Sequence, residues 1–491
     1  MSYNLLTIFR VDVTSKIGLG HFSRCLTLAQ HLKKFKYEVY FLGYISQDSV
    51  KNQLSELGIK LLLLHEKEQL DSNTAISFIK KIKRTCDFLI VDHYELDKSW
   101  HLKLRKVVDK IIVIDDLADR ELDCDLLVDQ NPGRLETDYD NKIPRNCIRL
   151  IGPKYALLKQ CFAENKDNSI KNRMKHGYIK KVLVSFGGSD PNNFTKTILS
   201  QISKKDIGIE YDVIIRSSFE SYFELKKINL PKYIRLHTDI QDIEQFMFSA
   251  DMAIGSGGVT ALERCVIGLP TIVISAAKNQ DQQIEALKDA GAITLLPRHL
   301  LDDENIIFSL LGKYKNEIQF WKSQITASSL IVDGFGIKRI ISVIKTSLRK
   351  AKISDCKILF EWQHEPEIRN FSRNQVPPKY EDHEKWYQDK LEDNQTLFYM
   401  ISYEEKLVGT LRLDKVKSEL NDQTYEISII TSTKYQGLGI ATASLHLIKA
   451  LHPQFVFLAE VHKENKASHK IFINSGFIKS NNWYKYCREI L

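Results

Sequence analysis

An apolar, strand-like run over residues 5–13 empties into Ile17-Gly18-Leu19-Gly20-His21, and from Phe22 to Leu32 the apolar positions recur at helical spacing. Strand, glycine turn and helix in that order put the first helical residues at the carboxyl edge of a parallel sheet, where open α/β folds bind ligands. The same succession returns at Lys181-Val182-Leu183-Val184-Ser185-Phe186-Gly187-Gly188-Ser189-Asp190-Pro191. It returns again at Met252-Ala253-Ile254-Gly255-Ser256-Gly257-Gly258-Val259-Thr260-Ala261-Leu262-Glu263. A chain that delivers strands into glycine turns this often is an α/β protein built on doubly wound parallel sheets.

Gly18 and Gly20 let the backbone approach a ligand closely, and a helix start offers unpaired N–H groups and a partial positive charge. That field disfavours imidazolium, so His21 is expected to be neutral and able to take a proton. The same pattern suits a capping histidine or a plain phosphate turn.

Further strand-like runs lie at residues 37–42, 60–64, 87–91 and 110–114, with helix-like segments between them. Two of them end in polar clusters, Asp92-His93-Tyr94 and Asp115-Asp116. Strand ends on one sheet edge converge, which gathers Asp92 and Tyr94 near His21 in a substrate crevice; aspartates that merely cap the following helices are the alternative for each taken singly. Asp12 and Arg10, just before the turn, are candidates to orient the imidazole or to hold sugar hydroxyls.

The polar stretch 164–175 reads as a linker. Beyond it lie the glycine turns Gly187-Gly188-Ser189 and Gly257-Gly258-Val259-Thr260, and the second of them opens a helix whose N–H groups suit a diphosphate without a lysine or a metal. Glu263, about one turn into the helix on the face expected to look out of the crevice, suits a ribose diol, although a helix dipole stabilises a glutamate there in any case.

At 491 residues the chain exceeds one core. Its eight cysteines show neither Cys-x-x-Cys nor metal-ligand spacing, and are expected to be reduced. The net charge of +8 is interleaved along the chain, which argues for small polyanionic ligands rather than nucleic acid. No apolar run has membrane-spanning length and Met1-Ser2-Tyr3-Asn4 opens no leader, so a cytoplasmic protein is expected, without a membrane partner.

Two Rossmann-like halves suggest the glycosyltransferase-B architecture. Gly255-Ser256-Gly257-Gly258, Glu263, Gly268-Leu269-Pro270 and Asn279-Gln280 resemble the nucleotide-binding region of the murein lipid glycosyltransferase family. Arg10-x-Asp12, the turn at 17–21, Asp92-His93-Tyr94, Asp115-Asp116-Leu117-Ala118, Asp129-Gln130-Asn131 and Gly152-Pro153-Lys154-Tyr155-Ala156-Leu157-Leu158 occur in the order found in UDP-2,4-diacetamido-2,4,6-trideoxy-β-L-altropyranose hydrolases of pseudaminic acid biosynthesis. The resemblance implies His21 as general base. It implies UDP held by Gly188, Gly258 and Glu263 with their neighbours, Asn279 and Gln280 included, and uracil near residues 237–240.

The closing helix of this part is expected at 334–344, with a boundary at Arg349-Lys350. Downstream, a strand over 426–431 feeds Gln436-Gly437-Leu438-Gly439-Ile440-Ala441 and a helix, the pattern of a pyrophosphate loop. With Asn465-Lys466-Ala467-Ser468 and Ser475-Gly476-Phe477 it resembles the GNAT superfamily of N-acetyltransferases. Leu359-Phe360-Glu361-Trp362 and His383-Glu384-Lys385-Trp386 look like its amino-sugar members. The resemblance implies acetyl-CoA on residues 436–441 beside Ile430, with Asn465 near the pantetheine. Phe472 stands where many members carry a tyrosine general acid; Tyr484 and Tyr486 are nearby, and Glu426 is a candidate base through water.

The expected layout is therefore 1–160 and 161–347 as the two Rossmann-like halves and 352–491 as the acetyltransferase. Such a fusion implies two enzymes of one pathway acting on UDP-amino sugars, with contacts to other enzymes of that pathway possible and no metal required. A glycosyltransferase fused to an acetyltransferase is the alternative.

Overall fold

The computed structural model describes residues 4–14, 18–188, 190–417, 423–481 and 483–488. Ile17 and Ser189, named in two of the glycine turns, lie outside the described residues. The chain divides into two compact units, one of residues 1–143 and 150–337, the other of residues 144–149 and 338–491.

The strands of the first sheet are β1 (Leu6–Arg10), β2 (Glu38–Gly43), β3 (Lys60–Leu63), β4 (Cys86–Val91), β5 (Val108–Ile114), β6 (Leu126–Asp129) and β7 (Ile148–Ile151). They form one sheet in the order β3-β2-β1-β4-β5-β6-β7. All five residues of β1 are buried, as a central strand of a parallel sheet covered on both faces requires. Arg10 is in register with Leu42 on one side and Val91 on the other, so the residues that follow β1 and β4 emerge level with each other. Gly43 ends β2 beneath Val11, whose carbonyl oxygen lies 1.8 Å from where a Cβ would stand; no other residue fits there.

A second sheet holds β8 (Lys181–Ser185), β9 (Glu210–Ile215), β10 (Ile234–Thr238), β11 (Met252–Gly255), β12 (Thr271–Val273) and β13 (Thr294–Leu295). Its order, β10-β9-β8-β11-β12-β13, repeats that of the first sheet, and every pairing in it is parallel. The order reverses between β1 and β4 and again between β8 and β11, which makes those two gaps the switch points at which such sheets take ligands.

The stretch 164–175 is not a linker. It belongs to the helix Gln160–His176, most of whose charged residues form its solvent face. Phe162 and Arg173 are buried, and the Arg173 guanidinium donates to the carbonyls of Met247, Ala250 and Ile267 at 2.7, 2.8 and 2.5 Å. The composition of that face hid the anchors beneath it.

The second unit holds β14 (Thr346–Lys350), β15 (Thr396–Tyr403), β16 (Lys406–Lys415), β17 (Thr424–Thr431), β18 (Val456–Glu460), β19 (Ile478–Ser480) and β20 (Trp483–Tyr486), in the order β14-β15-β16-β17-β18-β20-β19. Its neighbours are antiparallel except β17 and β18. Arg349 and Lys350, expected at a boundary, lie inside β14 and pair with Met400 and Tyr399. The closing helix is Gly336–Lys345 and continues into β14 without a loop.

Among the described residues no helix is long and apolar enough to cross a membrane, and no group of three or more His, Cys, Asp or Glu is placed to hold a metal ion. All eight cysteines are free thiols.

Candidate active sites

The helix Gly20–Lys34 starts at the end of the first glycine turn with no side-chain cap. His21 is 7% exposed, and Tyr94 packs edge-on against its ring at 4.5 Å. Its Nδ1 lies 2.9 Å from Asp92 Oδ1. A carboxylate that accepts from Nδ1–H leaves the lone pair on Nε2, the arrangement of a general base.

Asp92 is fixed in turn. Arg24, one helical turn beyond His21, donates to both of its oxygens at 2.6 Å, and the Cys25 thiol donates at 3.4 Å. Burial pushes the Asp92 carboxyl up, but the Arg24 charge and then His21 outweigh it and hold it well below the usual carboxylate range. Asp92, expected to bind substrate, thus has both oxygens committed and serves to orient the imidazole.

Asp12 is likewise committed elsewhere. It meets Arg10 at 2.5 and 3.1 Å, His93 Nε2 at 2.9 Å and the Tyr44 amide at 2.7 Å, and it is fully buried. Burial raises its pKa, while the His93 hydrogen bond and the Arg10 charge bring it down to about 2. The carboxylate that orients His21 is therefore Asp92, not Asp12. Asp115 accepts from the Leu117 and Ala118 amides and from Tyr139 and pairs with Arg120 at 2.8 Å; β5 runs on to β6 with no helix between them, so this aspartate closes a turn and does not cap a helix. Asp116 accepts from Arg24 at 3.0 Å and from Tyr94 at 3.3 Å.

The second half faces this group. Asn279 donates to the Tyr94 hydroxyl at 3.0 Å, and a Cβ at Gly188 would stand 3.5 Å from Leu19 Cβ, so the glycine turns of the two halves approach across one cleft. Gly187 and Gly258 have φ of +85° and +77°, conformations that side chains disfavour. Gly258 is the N-cap of Val259–Val266, so Val259 and Thr260 form the first helical turn. A Cβ at Gly257 would press on Ile284 at 2.9 Å and on Gln280 Oε1 at 3.1 Å. At Gly20, by contrast, no described atom lies within 4 Å of the Cβ position, so packing does not demand glycine there.

Glu263 is buried, not looking out as expected. Burial raises its carboxyl to about 7, with Lys159 opposing and Glu244 reinforcing the shift. Lys159 itself is paired with Glu244 at 2.9 Å. His237, near the end of β10 and not in a loop, meets Asp212 at 2.8 Å and packs on Phe246.

In the second unit, β17 pairs with β16 out to Thr431, but its ladder with β18 runs only from Thr424↔Val456 to Glu426↔Leu458. The two strands part beyond that point, beside Ile430. Gln436, Gly437, Leu438 and Gly439 are exposed in front of the helix Ile440–Leu451, with Gly437 and Gly439 at φ of +79° and +78°. The amides of this loop and helix start, Ile440 and Ala441 included, fit a pyrophosphate. Asn465 caps the helix Lys466–Asn474 through the Ser468 amide at 3.0 Å. Glu426 is tied with Glu460 to Arg373.

Arg24, Gly43 and Arg373 carry much of this geometry and were not picked out from the sequence. The one signal for Arg24 was an arginine three residues after His21, on the helical stripe that is otherwise apolar.

Two Rossmann-like sheets of one strand order, meeting at their switch points, with an acetyltransferase-type sheet after them, define a glycosyltransferase-B-type α/β protein that carries a C-terminal GNAT domain. Residues 345–478 match the acetyltransferase (GNAT) domain family. Over 490 residues the chain is 26% identical to an uncharacterised protein of Methanocaldococcus jannaschii, covering 96% of each. It is 27% identical over 288 residues to the UDP-2,4-diacetamido-2,4,6-trideoxy-β-L-altropyranose hydrolase of Campylobacter jejuni, covering 58% of this chain and 96% of that one. The crystal structure of Acinetobacter baumannii MurG shares the fold of the first part with a TM-score of 0.51 at 12% identity, covering 70% of this chain and 99% of that one.

Proposed function

We propose that the chain carries two consecutive steps on a UDP-linked amino sugar in the cytoplasm. Residues 352–491 transfer acetyl from acetyl-CoA to the 4-amino group of a UDP-4-amino-4,6-dideoxy sugar. Residues 1–347 then hydrolyse the resulting UDP-2,4-diacetamido-2,4,6-trideoxy-β-L-altropyranose to free sugar and UDP. The observation that carries the reading is the Asp92–His21 pair, set at a helix start and facing Asn279 and Gly188 of the other half. A site that only binds has no need of an oriented base.

Nε2 of His21 takes a proton from a water behind the anomeric carbon, and the C1–oxygen bond to UDP breaks as the new bond forms, with inversion. Donors at Gly187, Gly188, Gly258, Val259 and Thr260 receive the departing diphosphate, and Gln280 lies on that turn. General-base help supplies about 10²–10⁴-fold, and orientation and leaving-group stabilisation supply the rest. Eight free thiols suit a reducing compartment.

Incubation with the UDP-4-amino sugar and acetyl-CoA, following CoA and UDP with time, tests the reading. CoA release preceding UDP release is expected, with the acetylated sugar nucleotide hydrolysed faster than the free amine. Equal hydrolysis of both forms would refute the order. Sugar passed to an added acceptor in preference to water would favour a glycosyltransferase.

A further inference from the structure

Thioester aminolysis leaves a thiolate that needs a proton, and Phe472, at the position where GNAT enzymes often carry a tyrosine, has none to give. Phe472 is 3% exposed and stacks on the ring of Tyr484, with centroids 5.5 Å apart at 24°. The Tyr484 hydroxyl lies 2.7 Å from His469 Nδ1, and His469 Nε2 lies 3.3 Å from the Lys463 carbonyl oxygen. Tyr484 pairs with Ala459, the first residue of β18 past its last rung with β17. Tyr484, wholly buried, therefore sits on the strand beside the one that parts from β17, one residue past the last rung.

We propose that Tyr484 and His469 together replace the missing tyrosine as the proton supply for the departing CoA thiolate. The inference rests on the acetyltransferase reading above.

A carbonyl can only accept, so Lys463 O fixes a hydrogen on Nε2. Nδ1 then has two states. Unprotonated, it accepts the Tyr484 hydroxyl hydrogen; protonated, it donates to the hydroxyl oxygen and frees that hydrogen to point elsewhere. Burial raises the phenol's pKa, so Tyr484 keeps its proton until a base arrives. In the reaction the amine nitrogen bonds to the acetyl carbon and the carbon–sulfur bond breaks with its electron pair on sulfur. The thiolate takes the Tyr484 proton, the phenolate takes the Nδ1 proton of His469, and His469 is recharged from solvent, which also receives the proton shed by the amine. His469 acts through Tyr484 and is a positioning and reloading residue.

Tyr484→Phe keeps the ring and its stack and removes only the hydroxyl. Measured by CoA release with the UDP-4-amino sugar, kcat is expected to fall 10–100-fold with the KM for acetyl-CoA unchanged, and His469→Gln to give a similar loss. Adding Phe472→Tyr to Tyr484→Phe is expected to restore most of the rate, which a structural defect would not allow. An unchanged kcat in Tyr484→Phe, or a loss in KM alone, overturns the pair. Wild-type protein that releases no CoA with this amine counts against the substrate reading alone; the same variants are then compared in acetyl-CoA hydrolysis without acceptor, where the same loss and rescue are expected and an unchanged rate again overturns the pair.

Discussion

Asp92 Oδ1 sits 2.9 Å from His21 Nδ1, and the same carboxylate is gripped by Arg24 through both oxygens. The helix start behind the imidazole supplies a field, but the carboxylate supplies the direction in which the ring points. Asp92→Asn keeps the shape and lets the amide hold the wrong tautomer. Release of UDP from the diacetamido sugar nucleotide is expected to fall about 10²–10⁴-fold. His21→Ala should lose as much, with UDP affinity by calorimetry unchanged in both.

Arg24 sits 2% exposed between Asp92 and Asp116. Arg24→Met strands a buried carboxylate, an effect of roughly 3–5 kcal/mol. The urea midpoint of the first unit is expected to drop accordingly. Asp116→Asn, on the more exposed side of the same arginine, should cost far less.

Glu263 gives the first unit a pH signature. Its carboxyl rises from 4.5 to about 7 on folding. Between those values the native state binds the extra proton, so stability falls as pH rises through the window, by about 3 kcal/mol in all. Glu263→Gln is expected to flatten that slope, stabilising the protein at pH 8 and hardly at all at pH 4. Thermal unfolding at the two pH values measures it.

Gly439 holds φ of +78°, and a Cβ there would stand 3.4 Å from Ser342 Oγ. Gly439→Ala is expected to cost about 1–2 kcal/mol in stability from the left-handed backbone. It should raise the KM for acetyl-CoA, with UDP release from the diacetamido sugar unaffected. Parallel assays of the two activities check both.

The periodic parts of this architecture are legible in the sequence alone. β1, β8 and β11 announce themselves as apolar runs entering glycine turns, and the acetyltransferase loop follows from spacing at Gln436 to Ala441. Long-range partnerships were not legible. Nothing local distinguishes Asp12 from Asp92, because which carboxylate reaches the imidazole depends on how β1 and β4 align. The helix Gln160–His176 misled because its exposed face outnumbers Phe162 and Arg173. Glu263 was assigned to the open side of its helix because a turn count gives the angle around the axis but not what lies over it; Lys159 and Glu244 come from elsewhere in the chain.

Gly336 begins a helix that runs without a loop into β14, and its missing side chain lets the Ala156 carbonyl oxygen come within 2.3 Å of the Cβ position. β14 in turn is the strand that borders β15. Anyone wishing to separate the two halves of this polypeptide by truncation has no neutral place to cut. A fragment stopped at residue 335 forfeits the glycine under Ala156, and one started at residue 352 forfeits a border strand of the acetyltransferase sheet. Dissection by point substitution in the intact chain is the sounder route.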